Sequence, residues 1–176
     1  MIPGVVIRPA GPEDSRLIRS LSSRTFLETY GAYNSQENIR QYLSGHFSPE
    51  HLSAEMLEKN SWFFLIFLEE TAVGYARICG GEIPESIAHR NAAQIGRIYL
   101  LKSFQGLKLG GLLMDFLIAT AGQKGFDVLW LGVWENNHSA IGFYRRKGFE
   151  IFDEQPFLLG TALQNDYLMK REIASR

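Results

Sequence analysis

The stretch between Ala93 and Gly111 (AAQIGRIYLLKSFQGLKLG) constrains the fold of this chain more than any other. Residues 94–101 read as a β-strand, and a turn that carries glycines then opens a helix at Gly110. That helix repeats apolar side chains at helical spacing, at Leu112, Leu113, Phe116, Leu117 and Ala121. A strand, a glycine turn and an amphipathic helix in this order are typical of a mixed α/β protein.

The same turn predicts a site for an anion. The first N–H groups of a helix have no intrahelical partners, and they lie at the positive end of the helix dipole. Phosphate is the ligand that suits such a position. Glycine turns between strands and helices are also common in α/β proteins, so the turn alone is as compatible with a structural role as with a ligand.

Composition excludes several classes of protein. The 176 residues suit one domain, residues 1–176, and 18 basic against 19 acidic residues favour neither nucleic acid nor an anionic membrane as partner. Cys79 is the single cysteine, which excludes an internal disulfide and favours a cytoplasmic location. The longest apolar run, residues 62–68, is too short to span a bilayer. The four histidines show no metal-ligand spacing, so no metal is expected.

The patterns elsewhere alternate between strand and helix. Residues 127–133 (DVLWLGV) form a nearly continuous apolar run, as expected for a strand that is covered on both faces. The other predicted strands lie at 5–8, 62–70, 71–80, 149–152 and 166–171. The other predicted helices lie at 13–30, from 35 onward, at 49–59 and at 139–147.

A second motif follows the apolar strand: Asn137-x-x-Ala140-x-x-Phe143-Tyr144. With this motif and the turn at 105–111 in one chain, the sequence resembles the GNAT superfamily of acyl-CoA-dependent N-acetyltransferases. The resemblance implies an α/β (α+β) fold, with a mixed, twisted central sheet of about six to seven strands and helices on both faces. Two stretches, ETYGAYNSQENIRQYL and WLGVWENNHSAIGFYRRKGF, are similar to the bacterial spermidine/spermine N-acetyltransferases of that superfamily.

The resemblance also implies acetyl-CoA as cosubstrate and gives roles to its binding residues. Tyr144 would protonate the departing thiolate as general acid, Asn137 would contact the pantetheine arm, and Arg146 would reach a phosphate. The strand residues whose backbone would pair with the pantetheine and polarise the thioester carbonyl are Ile98, Tyr99 and Leu100. The residues of the pyrophosphate turn are Gln105, Gly106, Leu107, Lys108, Leu109, Gly110 and Gly111.

Lys108 departs from the family's pattern, which has a glycine at that position. A positive φ would strain a lysine by roughly 1–2 kcal/mol. We therefore expect a helical or near-helical backbone at Lys108, with its ammonium group free to contact a phosphate.

The acceptor amine needs help to lose its proton, since deprotonating it at pH 7 costs roughly 4–5 kcal/mol. Many relatives place a glutamate on the central strand for this purpose, but residues 94–97 of this chain read QIGR, without a carboxylate. The candidate bases are Glu28, Tyr30, Glu82, Glu85 and His138. A polycationic acceptor would also need carboxylates near the cleft, for which the candidates are Glu28, Glu37, Glu82 and Glu85.

These observations favour an enzyme that transfers an acetyl group directly to a primary amine in a ternary complex, with a polyamine as the acceptor implied by the resemblance. Two alternatives stay open. The acceptor could be a protein N-terminus, a lysine or another small amine, or the chain could be a non-catalytic acyl-CoA-binding regulatory module. Without context, Tyr144 could also be a core aromatic residue and Asn137 a helix cap. Many relatives form dimers, so a homodimer is compatible with the resemblance.

Overall fold

A computed structural model describes residues 2–159 and 161–173 of the chain. Its seven strands are β1 (Val5–Ala10), β2 (Ser61–Leu68), β3 (Thr71–Cys79), β4 (Ala92–Leu100), β5 (Val128–Trp134), β6 (Glu150–Leu159) and β7 (Ala162–Glu172). Its five α-helices are α1 (Ser15–Tyr30), α2 (Gln36–His46), α3 (Pro49–Leu57), α4 (Leu109–Gln123) and α5 (His138–Arg146). None of the helices in this part of the chain is long and apolar enough to cross a membrane.

The strands form one mixed sheet in the order β1-β2-β3-β4-β5-β7-β6. Neighbouring strands are antiparallel except for β4 and β5, which are parallel. Successive residues of a strand point to opposite faces, and β2 illustrates the result. Phe64 and Ile66 pack with residues of α4 and α5, whereas Phe63 and Leu65 pack with residues of α1, α2 and α3. The predicted α/β class, with helices on both faces, is therefore confirmed.

The apolar run at 127–133 forms the buried strand that its composition predicts. Residues 128–131 of β5 are buried, and Trp130 lies in the core as expected. Gly132 interrupts this run and is exposed between the buried Leu131 and Val133. The backbone of β5 is therefore accessible to solvent at Gly132, between two buried residues.

The last two strands are much longer than the sequence predicts. The predicted strand at 149–152 is β6 (Glu150–Leu159), and the one at 166–171 is β7 (Ala162–Glu172). β6 lies at the edge of the sheet and is mostly exposed, so it keeps polar residues and Pro156 that a central strand would exclude. Because pairing with β7 along the whole hairpin holds β6 in the sheet, its composition carries little strand signal.

Candidate active site

A gap in the sheet lies between β4 and β5. These strands pair over only three residues, from Ala92 opposite Val128 to Gln94 opposite Trp130. Beyond this junction, residues 95–100 and 131–134 line a cavity of about 670 Å³ instead of pairing with each other. This volume is typical of small-molecule sites. The facing strand edges carry backbone hydrogen-bonding groups that an extended ligand with amide groups could pair with.

The glycine turn closes one end of this cavity. Gly106 has φ +82°, and Lys108 has φ +63° immediately before the first residue of α4. Both residues line the cavity together with Gly110 and Gly111. The start of α4 therefore presents N–H groups and the positive end of its dipole to the cavity, which suits a diphosphate.

The expected helical backbone at Lys108 is wrong, because this residue adopts the left-handed conformation. The backbone of the turn keeps a positive φ at the position where the family has glycine. Because lysine has a Cβ atom, this conformation is strained at Lys108. Leu107 and Leu109 lie outside the set of residues that line the cavity. Leu107 is exposed, and Leu109 is buried against α4 and the sheet.

Tyr144 lies in the wall of the cavity on α5. Its ring packs beside Phe143 and Phe149, with ring centroids 5.4 and 6.1 Å away. Burial of its hydroxyl, with a smaller contribution from Tyr30, raises the pKa of Tyr144 well above its usual range. The phenol therefore stays protonated near neutral pH and can donate a hydrogen bond or a proton to a group in the cavity.

The other motif residues of α5 line the same cavity. The side-chain oxygen of Asn137 accepts the N–H of Ala140 at 3.2 Å and caps the helix. This cap uses the oxygen and leaves the amide NH₂ of Asn137 for a ligand. Arg146, the last residue of α5, also lines the cavity. Also lining it are the sequence-predicted Ile98, Tyr99, Leu100 and Gln105.

Three aromatic rings form the other end of the cavity, and we call them the aromatic wall: Tyr30, Tyr33 and Trp134. The ring of Trp134 lies 6.3 Å from that of Tyr30 and 5.2 Å from that of Tyr33, between centroids. Burial is the main cause that raises the pKa of Tyr30 to about 12. The Tyr30 phenol is therefore protonated at neutral pH and is a poor proton acceptor.

Few of the predicted acidic candidates lie near these rings. Glu28 lines the cavity, where its Oε2 accepts the backbone N–H of Lys102 at 2.8 Å and its Oε1 accepts from Nε of Arg24 at 3.3 Å. Glu37 pairs with Arg40 on the exposed side of α2, away from the cavity. The structure also does not bring Glu82, Glu85 or His138 to the cavity, and all three are exposed.

Arg97 stands on the central strand where many relatives have a glutamate nearby, and it lines the cavity while a carboxylate on α3 holds its guanidinium. Its guanidinium donates to the buried carboxylate of Glu55 at 2.5 and 3.0 Å. Arg77 donates to the same carboxylate at 2.5 Å. Because two arginines occupy the oxygens of Glu55, this carboxylate is not free to accept a proton from an amine.

Asp166 of β7 is not among the site residues predicted from the sequence. Its Oδ2 lies 3.5 Å from the position that a Cβ atom on Gly132 would take, so the carboxylate sits over the uncovered part of β5. Gly132 lines the cavity. The sequence carries no local signal for this position, because Asp166 is the first residue of the strand predicted at 166–171 and its approach to Gly132 comes from the pairing of β7 with β5.

Two further observations identify the cavity in which the predicted reaction would take place. A second cavity, of about 690 Å³, lies between α1 and α2, but none of the residues predicted to bind acetyl-CoA lines it. Within residues 2–159 and 161–173, no group of three or more His, Cys, Asp or Glu side chains could hold a metal ion. The gap between β4 and β5 is therefore the cavity that matters for the predicted reaction.

Comparisons with known proteins agree with this geometry. Residues 18–149 match the model of the acetyltransferase (GNAT) family. An uncharacterised N-acetyltransferase from the pepI 3′ region of Lactobacillus delbrueckii subsp. lactis is 32% identical over 170 residues, which cover 97% of this chain and 98% of that protein. The spermidine N(1)-acetyltransferase of Thermoplasma acidophilum is 23% identical over 175 residues, covering 97% and 99% of the two chains.

The fold has a counterpart that was solved with coenzyme A. The crystal structure of the PaiA N-acetyltransferase from Thermoplasma acidophilum in complex with coenzyme A matches with a TM-score of 0.79 at 22% identity, over 96% of this chain and 98% of that one. At this identity the match shows the fold alone, whereas the family match and the Lactobacillus relative show descent. The chain therefore belongs to the GNAT family of acetyltransferases, and acetyl-CoA is its cosubstrate.

Proposed function

We propose that this acetyltransferase transfers the acetyl group directly to a primary amine of a polyamine, in a ternary complex. The observation that carries the proposal is the gap between β4 and β5, which has an anion-binding turn at one end and an aromatic wall at the other. The phenol of Tyr144 lies in the wall of the same cavity. One cavity can thus hold a nucleotide thioester and an amine together.

Each part of the gap has a role in this reaction. When bound, acetyl-CoA supplies the acetyl group as a thioester. The N–H groups of the turn at 106–111 would bind its diphosphate. The unpaired edge at residues 98–100 would hydrogen-bond to the pantetheine amides and to the thioester oxygen, which gains negative charge as the amine attacks. Tyr144 would hold a proton at its hydroxyl and deliver it to the departing sulfur.

Deprotonation of the amine is proposed to rest on the cavity and not on a glutamate of β4. An amine that leaves water for a partly apolar pocket loses the solvation of its charged form, so its pKa falls. Of the predicted bases, Glu28 and Tyr30 line the cavity. We propose that a water molecule takes the proton from the desolvated amine and passes it to solvent beside Glu28, whose carboxylate already accepts hydrogen bonds from Arg24 and Lys102.

A polyamine is supported as acceptor by the similarity to the Thermoplasma spermidine N(1)-acetyltransferase, which extends over nearly the full length of both chains. Aromatic rings at the acceptor end also suit cationic ligands, since a ring face attracts an ammonium group. The lone Cys79, which has no disulfide partner in the sequence, fits a reducing cytoplasm as the place of action.

The proposal is tested by following thiol release from acetyl-CoA with a panel of amines: spermidine, 1,4-diaminobutane, 1-aminobutane and a peptide with a free N-terminus. We expect the highest kcat/KM for spermidine. Initial rates at varied concentrations of both substrates should give intersecting double-reciprocal lines, as a ternary complex requires. Turnover of the peptide without turnover of any polyamine would contradict the acceptor class, and parallel lines would contradict direct transfer.

A further inference from the structure

Two hydrogen-bond acceptors on β7 are buried without a donor in the part of the chain that the structure describes. They are Oδ1 of Asp166 and Oε1 of Gln164. Residues two apart in a strand point to the same face, so both acceptors belong to one side of β7. Buried acceptors in folded proteins nearly always have a donor, and leaving one unpaired is destabilising. This pair therefore indicates a ligand that donates hydrogen bonds.

The neighbours of these two side chains leave the acceptors available. The Nε2 atom of Gln164 donates to Oδ1 of Asn34 at 3.4 Å, and no hydrogen bond joins this amide to Asp166 in the described residues. No lysine, arginine or histidine forms an ion pair with Asp166 among the residues that the structure describes. Burial, and secondarily the negative charge of Glu135, raises the pKa of Asp166 to about 6. The carboxylate is thus ionised at neutral pH but lacks a countercharge.

Asp166 lies next to the aromatic wall, although it is not among the residues that line the cavity. It stands opposite Trp134 in the register of β5 and β7, and it sits over Gly132, which lines the cavity. Trp134 in turn contacts Tyr30 and Tyr33. A carboxylate, an amide oxygen and three ring faces are the groups that recognise a protonated amine.

This cluster lies beside the cavity and apart from the wall that carries Tyr144. Asp166 and Gln164 belong to β7, on the side of β5 that faces away from β4, and neither is among the residues that line the cavity. Tyr144 lines the cavity on α5, and the rings beside its own are Phe143 and Phe149. The geometry therefore assigns to Asp166 an ammonium group other than the amine that attacks.

We propose that Asp166 and Gln164, together with the aromatic wall, bind a second, non-reacting ammonium group of the acceptor. This inference rests on the proposed function and names its substrate class more narrowly, as amines with two or more cationic centres. It also replaces the glutamates suggested by the sequence with a carboxylate from the last strand. Asp166 is a specificity residue in this account, and the acetyl-transfer step does not involve it.

Equilibrium binding tests the inference without relying on turnover. Calorimetric titration of the enzyme with coenzyme A present would compare 1,4-diaminobutane with 1-aminobutane, for the natural chain and for Asp166→Asn. We expect the natural chain to bind the diamine more tightly than the monoamine. Asp166→Asn should weaken diamine binding about tenfold to hundredfold, the loss typical of a charged hydrogen bond. Binding of the monoamine and of coenzyme A should stay unchanged.

Two controls separate this role from a structural one. Glu154→Gln removes an exposed carboxylate from the same hairpin, beside Asn165, and should leave diamine binding unchanged. Asp166→Asn should also melt a few degrees higher than the natural chain above pH 7, because it removes an uncompensated buried charge. A variant that simply misfolded would melt lower and would lose coenzyme A binding as well.

The outcomes distinguish the two proposals. If the natural chain acetylates amines but binds the diamine no more tightly than the monoamine, the inference on Asp166 is overturned and the proposed function stands. If Asp166→Asn binds the diamine as well as the natural chain does, the inference is likewise overturned. If no amine is acetylated but the diamine binds through Asp166, the ammonium site stands and the proposed function fails.

Discussion

The two ends of the cavity are built from different material. The end at residues 105–111 comes from one continuous stretch of chain, and its backbone N–H groups are the ones that we propose bind the diphosphate. The opposite end comes from side chains that α1, the turn after it and β5 bring together from distant parts of the sequence, with Asp166 of β7 beside them. A backbone site depends on dihedral angles and tolerates changes of side chain. A side-chain site depends on the identity, burial and charge of a few groups.

Lys108 and Asp166 illustrate this difference. At the first end, a lysine replaces the family's glycine, and the turn still has a positive φ at that position. At the second end, one carboxylate without a countercharge sets the electrostatic character of the wall. We therefore expect substitutions at the two ends to change the kinetics of different substrates.

Tyr144→Phe should have the largest effect, because Tyr144 lies between the two ends and acts on the chemical step. We expect kcat to fall about 10²- to 10³-fold, the usual contribution of a proton donor, with little change in KM for either substrate. Steady-state thiol release measures both constants. Tyr42→Phe is the matched control, since this phenol belongs to α2 and does not line the cavity. Full activity of Tyr144→Phe would remove the phenol from the mechanism.

The next largest effect should be that of pH on the preference for a diamine over a monoamine. We consider the ratio of kcat/KM for 1,4-diaminobutane to that for 1-aminobutane, in which the titration of the reacting amine cancels. Because the pKa of Asp166 is raised to about 6, this ratio should fall as the pH drops below about 6 and the carboxylate gains a proton. The full decrease should be about tenfold to hundredfold.

Asp166→Asn should make this ratio low and independent of pH. The titratable groups that face Asp166 are Glu135 and the phenols of Tyr30 and Tyr42, and the raised pKa values of both phenols keep them protonated in this range. A ratio that still falls near pH 6 in Asp166→Asn would assign the titration to another group.

The raised pKa of Asp166 also makes the stability of the folded chain depend on pH. The folded chain binds a proton at Asp166 more tightly than the unfolded chain does, so this group favours folding fully below about pH 4 and loses that contribution as the pH rises through about 6. After discounting for its partial exposure, we expect Asp166→Asn to be more stable at pH 7.5 by on the order of 1 kcal/mol. Urea unfolding at pH 7.5 and pH 4 measures the difference, which should vanish at the lower pH.

Gly106→Ala should affect the acetyl-CoA end alone. An alanine side chain would meet no atom within 4 Å at this position, so the whole effect comes from its φ of +82°. A strain of about 1–2 kcal/mol would shift the turn and raise KM for acetyl-CoA about 5- to 30-fold, while KM for the amine stays the same. Gly45→Ala, which also meets no atom within 4 Å but lies inside α2, is the control and should leave both constants unchanged.

Lys108→Gly should give the smallest effect, and it should stabilise the folded chain. Glycine removes the strain of the left-handed backbone at this residue but gains freedom in the unfolded chain, so the net stabilisation should be about 0.5–1 kcal/mol in urea unfolding. Lys124→Gly, at a residue with φ −82°, should instead lose stability. An increase of KM for acetyl-CoA beyond about threefold in Lys108→Gly would show that the lysine ammonium itself contacts a phosphate.

The sequence predicted the end of the cavity that is local in the chain. The turn, the start of α4 and the motif on α5 carry their signal within a few residues, and the structure brings almost all of them to the cavity. The dihedral angle of Lys108 was the error there, because steric preference favours a helical backbone for an isolated lysine, whereas the surrounding turn imposes a positive φ.

The acceptor end could not be predicted in the same way. Asp166 lies beside the cavity only because β7 pairs with β5 and because Gly132 leaves space beneath its carboxylate. Neither the pairing of these strands nor the space at Gly132 can be recognised from a short stretch of sequence. Glu82 and Glu85 attracted interest through their charge alone, and the fold leaves them exposed in the segment between β3 and β4.

The short junction between β4 and β5 has a mechanical consequence. Its three residue pairs are the briefest pairing between any two neighbouring strands of the described sheet, so the sheet consists of two leaves, β1 to β4 and β5 to β7, that meet along a small seam. A ligand that hydrogen-bonds to both free edges would tie the leaves together as an additional strand would. The free energy of unfolding would then rise with ligand concentration, and the contact between the two leaves would weaken each time product dissociates.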